Sequence, residues 1–142
     1  MKKMFISLVI TAIFIFMGVK NSPAQTEDSS HFFTVTTLKV PFEKIEDFLK
    51  NYEKYTTPVV KQNEFVLREK VLMHTWGPDY SVMIIDEYKT WSDIDAAGRR
   101  YDEIAVKMEP DKSKRDEYYK SFAQYYNGHT DAILNEAPKL TK

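Results

Sequence analysis

Residues 65–89 read FVLREKVLMHTWGPDYSVMIIDEYK and contain two strand-like runs on either side of one turn. The runs Phe65–Trp76 and Tyr80–Lys89 are rich in β-branched, aromatic and aliphatic residues, which favour an extended backbone. Gly77-Pro78-Asp79 between them is a strong turn signal. This part of the chain predicts a β-hairpin, and its register fixes which side chains share a face of the sheet.

The position of the turn predicts that register. If Gly77 and Pro78 form the tip, Trp76 lies opposite Asp79, and alternate residues divide between two faces. One face should be covered by helices and holds Phe65, Leu67, Glu69, Val71, Met73, Tyr80, Val82, Ile84, Asp86 and Tyr88. The other face holds Val66, Arg68, Lys70, Leu72, His74, Trp76, Ser81, Met83, Ile85 and Glu87. A three-residue turn would instead exchange the faces of one strand.

The residues on either side of the hairpin predict the remaining elements. A strand, an amphipathic helix, two further helices and a last strand are expected over His31–Val40, Phe42–Tyr55, Thr90–Met108, Ser113–Tyr126 and His129–Leu134. Thr56-Thr57-Pro58 should end or kink the first helix, and Thr90 with Asp93 resembles a capping pair for the second. Lys107–Glu117 is expected to be a charged connector, and Asn127-Gly128 a helix stop.

The order β-α-β-β-α-α-β is typical of one antiparallel sheet with helices on one face, the ferredoxin-like α+β arrangement. That arrangement places the second strand at an edge, which agrees with Arg68-Glu69-Lys70 in its middle. The face without helices keeps Leu72, Trp76, Met83 and Ile85, an apolar patch that a symmetric partner would bury. We therefore expect a homodimer.

The element order and the hairpin around Gly77-Pro78-Asp79 resemble the dimeric α/β-barrel superfamily, in which two ferredoxin-like subunits press their sheets together. The resemblance covers His31 to about Leu134 and is architectural, because no catalytic motif of a named family is present. That superfamily includes haem-degrading and quinone-forming monooxygenases, small isomerases and members with no assigned activity. The resemblance therefore implies a dimeric barrel but does not select an activity.

Residues 1–24 have the layout of a secretory signal peptide. A basic start at Lys2 and Lys3 precedes the uncharged run Met4–Val19, and Ser22-Pro23-Ala24 supplies small residues at the spacing that signal peptidase reads. As an uncleaved membrane anchor the run would span only about 24 Å, short of the hydrocarbon core. We expect an exported protein, periplasmic or extracellular, with a flexible leader at 25–30, one domain at 31–136 and a C-terminal tail at 137–142.

The composition excludes several kinds of site. The chain has no cysteine, so thiol catalysis, iron–sulfur clusters and cysteine-ligated zinc are excluded. Cleavage after residue 24 removes three lysines and no acid, which lowers the formal net charge from −1 to −4 and disfavours nucleic acid and membrane surfaces as partners. His31, His74 and His129 show no metal-ligand spacing, so no metal site is predicted.

His74 is the candidate catalytic residue. It lies beside Trp76 near the end of the second strand, where a neutral imidazole could act as a general base or ligate haem iron. The alternative is a hydrogen-bonded histidine at a sheet edge or dimer contact. The candidate ligand-binding residues are Arg68, His74, Trp76, Met83, Glu87, His129 and Asp131.

Two pairs in this set allow two interpretations each. Arg68 and Glu87 face each other across the hairpin and would either orient a ligand carboxylate or form an ordinary cross-strand ion pair. His129 and Asp131 alternate along the last strand and so point to one side. There the aspartate would either hold the tautomer of the histidine or cap the turn after the helix.

Two features belong to the helix side of the predicted sheet. Asp86 needs a partner if it is buried, and Lys70 could reach it only if the register slips. The tyrosine stripe from Tyr118 to Tyr126 is more typical of a core than of a ligand site, although one ring of each adjacent pair could face a partner.

The sequence is therefore interpreted as an exported, homodimeric module that binds a small hydrophobic ligand or a protein partner, with no assigned activity. The alternative is a small monooxygenase or isomerase that acts on a hydrophobic or aromatic substrate, or on haem, in the barrel interior. A third interpretation is a structural dimer with a filled interior.

Overall fold

The computed structural model describes residues 30–76 and 82–141. The predicted signal peptide, most of the leader and the turn Gly77-Pro78-Asp79 lie outside these residues. The strands and helices are β1 (Phe32–Leu38), α1 (Ile45–Asn51), α2 (Thr57–Val60), β2 (Arg68–Met73), β3 (Val82–Tyr88), α3 (Trp91–Met108), α4 (Lys112–Ala123) and β4 (His129–Asn135). Shorter helical turns are a 3-10 turn at Phe42–Lys44, a π turn at Tyr52–Thr56 and a 3-10 turn at Pro138–Leu140.

The four strands form one antiparallel sheet in the order β2-β3-β1-β4. The central pair is β1 and β3, and the charged strand β2 lies at an edge, as the sequence predicts. The helices pack on one face of this sheet, so the predicted ferredoxin-like α+β fold is confirmed. Within the described residues, no helix is long and apolar enough to cross a membrane.

The hairpin register also agrees with the prediction. Arg68 lies opposite Glu87, and Leu72 lies opposite Met83. The face that the helices leave uncovered, called the open face below, holds Phe33, Val35, Thr37, Arg68, Lys70, Leu72, Met83, Ile85, Glu87, Thr130, Ala132 and Leu134. The opposite face, called the helix side, holds Phe32, Thr34, Thr36, Leu38, Glu69, Val71, Met73, Val82, Ile84, Asp86, Tyr88, His129, Asp131, Ile133 and Asn135.

The main core lies between the helix side of the sheet and the first helical segment. Its buried members are Leu38, Val40, Phe48, Tyr52 and Val82. The Phe48 ring centroid lies 5.0 Å from that of Phe122, so the stripe of α4 closes over this core. Tyr125 and Tyr126 pack against the same cluster, and this half of the predicted stripe is therefore core.

The first helical segment passes through the predicted break without ending. It widens into the π turn at Tyr52–Thr56 and continues as α2 through Pro58 to Val60. Because proline has no N–H, a regular α-helix cannot complete its hydrogen bonds at Pro58, and a wider turn immediately before it accommodates that loss. The buried residues Tyr52 and Thr56 lie at the two ends of this π turn.

The helices α3 and α4 differ from the prediction mainly where they meet. The backbone N–H of Thr90 donates to the Asp93 carboxylate at 2.9 Å, so the predicted capping pair is confirmed. The predicted connector is wrong, because α3 runs to Met108 and α4 begins at Lys112. Asp111 caps α4 by accepting from the Ser113 N–H at 2.8 Å, so the helix begins one residue before the predicted start at Ser113.

Replacing Phe48 by alanine tests the core. The Phe48 side chain is fully buried against aromatic neighbours, so Phe48→Ala should lower the free energy of unfolding by about 3–5 kcal/mol. The measurement is urea denaturation followed by circular dichroism. Phe42→Ala is the matched control, because the Phe42 side chain is 68% exposed, and it should change the free energy by less than about 1 kcal/mol. Equal losses in both variants would contradict this core.

Candidate functional site

The open face exposes several apolar side chains on a single copy of the chain. Its exposed members include Leu72, Met83 and Leu134, which come from three of the four strands. Two central residues, Val35 and Ile85, are half-buried between them. A face left in water is normally polar, so this surface indicates a contact with another surface.

Glu87 is held by two side chains at one end of the open face. Its carboxylate lies 2.6 Å from Nδ1 of His31 and 3.7 Å from Nε of Arg68. The predicted Arg68–Glu87 pair therefore exists, but the Arg68 side chain is 65% exposed, which fits an ordinary cross-strand pair better than a buried ligand clamp. Sequence reasoning missed His31, because the strand order that brings it to Glu87 joins residues far apart in the chain.

His74 and Trp76 lie at the other end of the open face. Both follow the end of β2 and are exposed, and Trp76 is 90% exposed. Arg68 lies six residues before His74, which along a strand is about 20 Å. A single copy therefore separates Arg68 and Glu87 from the His74 end of the predicted site.

His129 and Asp131 lie on the helix side of the opposite edge strand. Nε2 of His129 lies 3.2 Å from a carboxylate oxygen of Asp131, so the two side chains point to one side as their spacing predicts. Thr36 donates to the other carboxylate oxygen at 2.7 Å, and the Tyr126 ring packs edge-on against His129. The sheet itself separates this pair from the open face, so the seven predicted residues occupy three places.

A pair of carboxyl groups that the site prediction left out lies on the helix side. Asp86 and Glu69 are direct cross-strand neighbours in β3 and β2. The Tyr52 hydroxyl donates to Glu69 at 2.5 Å, whereas Oδ1 of Asp86 is buried and has no hydrogen-bond partner among the described residues. Lys70 pairs with Ile85 on the open face, so the confirmed register gives Asp86 no cation.

The surroundings of this carboxyl pair favour protonation. Burial first, and then the charge of Glu69, raise the pKa of Asp86 to about 7, while a hydrogen bond from Thr34 opposes them. Burial also raises the pKa of Glu69, while the hydrogen bond from Tyr52 lowers it. A carboxyl that gains and loses its proton near neutral pH can act as a general acid or base. Asp86 was visible in the sequence as an acid among inward-facing apolar residues, although nothing there identified its partner.

The described residues provide neither a metal site nor an enclosed haem site around His74. Residues 30–76 and 82–141 contain no group of three or more His, Asp or Glu side chains that could hold a metal ion. Haem needs an apolar enclosure around its axial ligand, whereas His74 is exposed at the end of an edge strand. Haem binding at His74 stays a prediction, and no chemical step is assigned to it.

Solved structures share this fold at low sequence identity. An uncharacterised NIPSNAP domain protein from Burkholderia xenovorans aligns with a TM-score of 0.58 and 18% identity, over 75% of this chain and 94% of that one. A dimeric ferredoxin-like protein from an uncultured marine organism aligns with a TM-score of 0.56 and 9% identity, over 78% and 90%. A proposed antibiotic biosynthesis monooxygenase from Caulobacter crescentus aligns with a TM-score of 0.54 and 12% identity, over 77% and 92%.

The predicted architectural resemblance is confirmed. These similarities establish the ferredoxin-like α+β fold and do not establish an activity. No family model matches the chain, and no curated protein matches it.

The carboxyl pair makes the stability of the protein depend on pH. Between about pH 4 and the folded pKa of about 7, folded Asp86 keeps a proton that the unfolded chain releases, so stability falls as the pH rises through this window. The Asp86→Asn substitution removes the cost of ionising a buried carboxyl beside Glu69, and the new amide can donate a hydrogen bond to Glu69. It should therefore raise the free energy of unfolding above about pH 7, by at most about 4 kcal/mol, and have little effect near pH 4.

Urea denaturation of both proteins at about pH 4 and about pH 8 measures this difference. Asp102→Asn, at an exposed position of α3, is the control and should show no such pH dependence. A gain from Asp86→Asn that is equal at the two pH values, or larger near pH 4, would contradict the shifted pKa.

Proposed function

We propose that this chain is a homodimeric binding module in which two copies pack the open faces of their sheets together. The observation that carries the proposal is the apolar surface formed by Leu72, Met83 and Leu134 on a face that no helix covers. Packing it against an identical face would remove this surface from water.

The charges on the open face are compatible with self-association. Arg68 and Lys70 supply positive charge and Glu87 supplies negative charge on the same surface. A two-fold interface brings the same surface of both copies together. A surface with charges of one sign would repel its copy, whereas a surface with both signs can pair with it. The dimeric ferredoxin-like protein with the same fold supports a second copy as the occupant.

A small acid–base enzyme is the second candidate, and the carboxyl pair is the observation that favours it. Asp86 is half-buried and faces another acid, and burial with the charge of Glu69 raises its pKa to about 7. These surroundings suit proton transfer in an isomerase better than those of the exposed His74. A monooxygenase would follow only by analogy with the proposed monooxygenase of the same fold. This candidate requires that the Asp86→Asn variant lose an enzymatic activity of the wild-type protein while its folded state becomes more stable.

The predicted dimer is tested by placing a charge on the open face. Leu72→Glu should raise the dissociation constant about a hundredfold or more, because each interface would bury two unpaired carboxylates. Val106→Glu is the matched control, since both side chains are 47% exposed and Val106 lies on α3 away from the open face. Multi-angle light scattering measures the mass of each variant.

The wild-type chain and Val106→Glu should elute at twice the chain mass and Leu72→Glu at the chain mass, with unchanged circular dichroism. A monomeric wild type at micromolar concentration would contradict the proposal. A dimer that survives Leu72→Glu and is lost in Val106→Glu would place the interface elsewhere.

We also propose that the module is exported after cleavage following Ala24. The support is the basic start, uncharged run and small residues of positions 1–24. Mass spectrometry of the protein recovered outside the cytoplasm should give an N-terminus at Gln25, and Ala24→Arg should block processing. Recovery of the intact chain from the cytoplasm alone would refute this proposal.

A further inference from the structure

A cavity of about 510 Å³ lies on the helical side of the molecule, remote from the open face. Its walls come from α1, the π turn, α2, α3 and α4, and no strand contributes a lining residue. The volume falls within the range of small-molecule sites, roughly 300–1,000 Å³. The space is partly open to solvent, so it is a cleft between the helices rather than a void inside the core.

Tyrosine rings form much of the wall of this cavity. Tyr55, Tyr101, Tyr118 and Tyr119 all line it. The ring centroids of Tyr55 and Tyr118 lie 4.6 Å apart, and those of Tyr118 and Tyr119 lie 5.4 Å apart. Rings that support one another in this way present rigid surfaces against which a flat aromatic molecule can stack.

Two of the tyrosines that line the cavity, Tyr101 and Tyr118, are half-buried. Thr56 of the π turn hydrogen bonds the Tyr118 hydroxyl at 2.7 Å. Burial raises the pKa of Tyr101 and of Tyr118, so both phenols stay neutral and can donate hydrogen bonds at physiological pH.

The charged side chains around the cavity favour an anion. Lys54, Lys114 and Arg115 line it together with two acids, Glu109 and Glu117. The site thus has an excess of one positive charge, although the whole chain has a formal net charge of −1. Arg115 donates through one nitrogen to the Glu109 carbonyl at 2.6 Å, which positions the guanidinium at the cavity while other N–H groups remain to bind a carboxylate.

We propose that this cavity binds a flat aromatic molecule of one or two rings that carries a single carboxylate. The tyrosine rings stack on the aromatic part, the phenol hydroxyls bind a polar substituent, and Arg115 binds the carboxylate. The site is separate from the open face and does not depend on the dimer proposed above.

Isothermal titration of the purified chain with 2-naphthoate and with uncharged 2-naphthylmethanol tests the proposal. Naphthoate should bind roughly tenfold more tightly than the alcohol, and Arg115→Gln should remove that preference. Arg99→Gln, on the exposed surface of α3 outside the cavity, should keep it. Ala105→Phe should fill the cavity and abolish binding of both compounds, whereas Val106→Phe, one residue further along the same helix, should not.

Three results would overturn the proposal: no naphthoate binding to the wild-type chain up to millimolar concentration, unchanged binding in Ala105→Phe, or no preference for the charged compound. If Ala105→Phe fails to fold by circular dichroism, the comparison of Arg115→Gln with Arg99→Gln still decides the matter. Leu72→Glu should bind naphthoate as the wild type does, so loss of the dimer and loss of the cavity site are separately visible.

Discussion

Alternation of side chains along β3 is the constraint on which the rest of the structure depends. Val82 and Asp86 project to the helix side, and Met83 and Glu87 project to the open face. Because β3 pairs with β1 on one side and β2 on the other, its register determines which residues of both neighbours share each face. The pairing of β1 with β4 extends the same division of faces to β4. A shift of one residue would exchange the core and the open face together.

The same alternation that buries Val82 also brings Asp86 inside the protein and sets it opposite Glu69. Pairing between the strands holds the two acids together against their repulsion, and the hydroxyl of Tyr52 satisfies one of them. That hydroxyl comes from the π turn, whose other end carries Thr56, the hydrogen-bond partner of the cavity residue Tyr118. The π turn therefore contacts the carboxyl pair through Tyr52 and the cavity tyrosine Tyr118 through Thr56. Such π turns are frequent at functional sites.

Much of the fold was predictable because its signals are local. The two-residue period of β2 and β3 and the Thr90–Asp93 capping pair each involve residues close in sequence. The His31–Glu87 contact joins residues 56 positions apart, and no local pattern predicts it. The tyrosine stripe was predicted as one feature, but its residues from Phe122 to Tyr126 pack against the core while Tyr118 lines a cavity.

Side-chain period, turn chemistry and composition were enough to define the strands, the two faces of the sheet and the absence of any thiol chemistry, since each follows from neighbouring residues or from a count. Which predicted site residues meet was settled only by the packing of elements across the sheet. His129 lies in β4, at one edge of the sheet and on its helix side, whereas His74 follows β2 at the other edge. Likewise, α3 and α4 leave open space beside Tyr101. The distance between two helices depends on side chains that are far apart in the sequence, so the periodicity of either helix does not predict it.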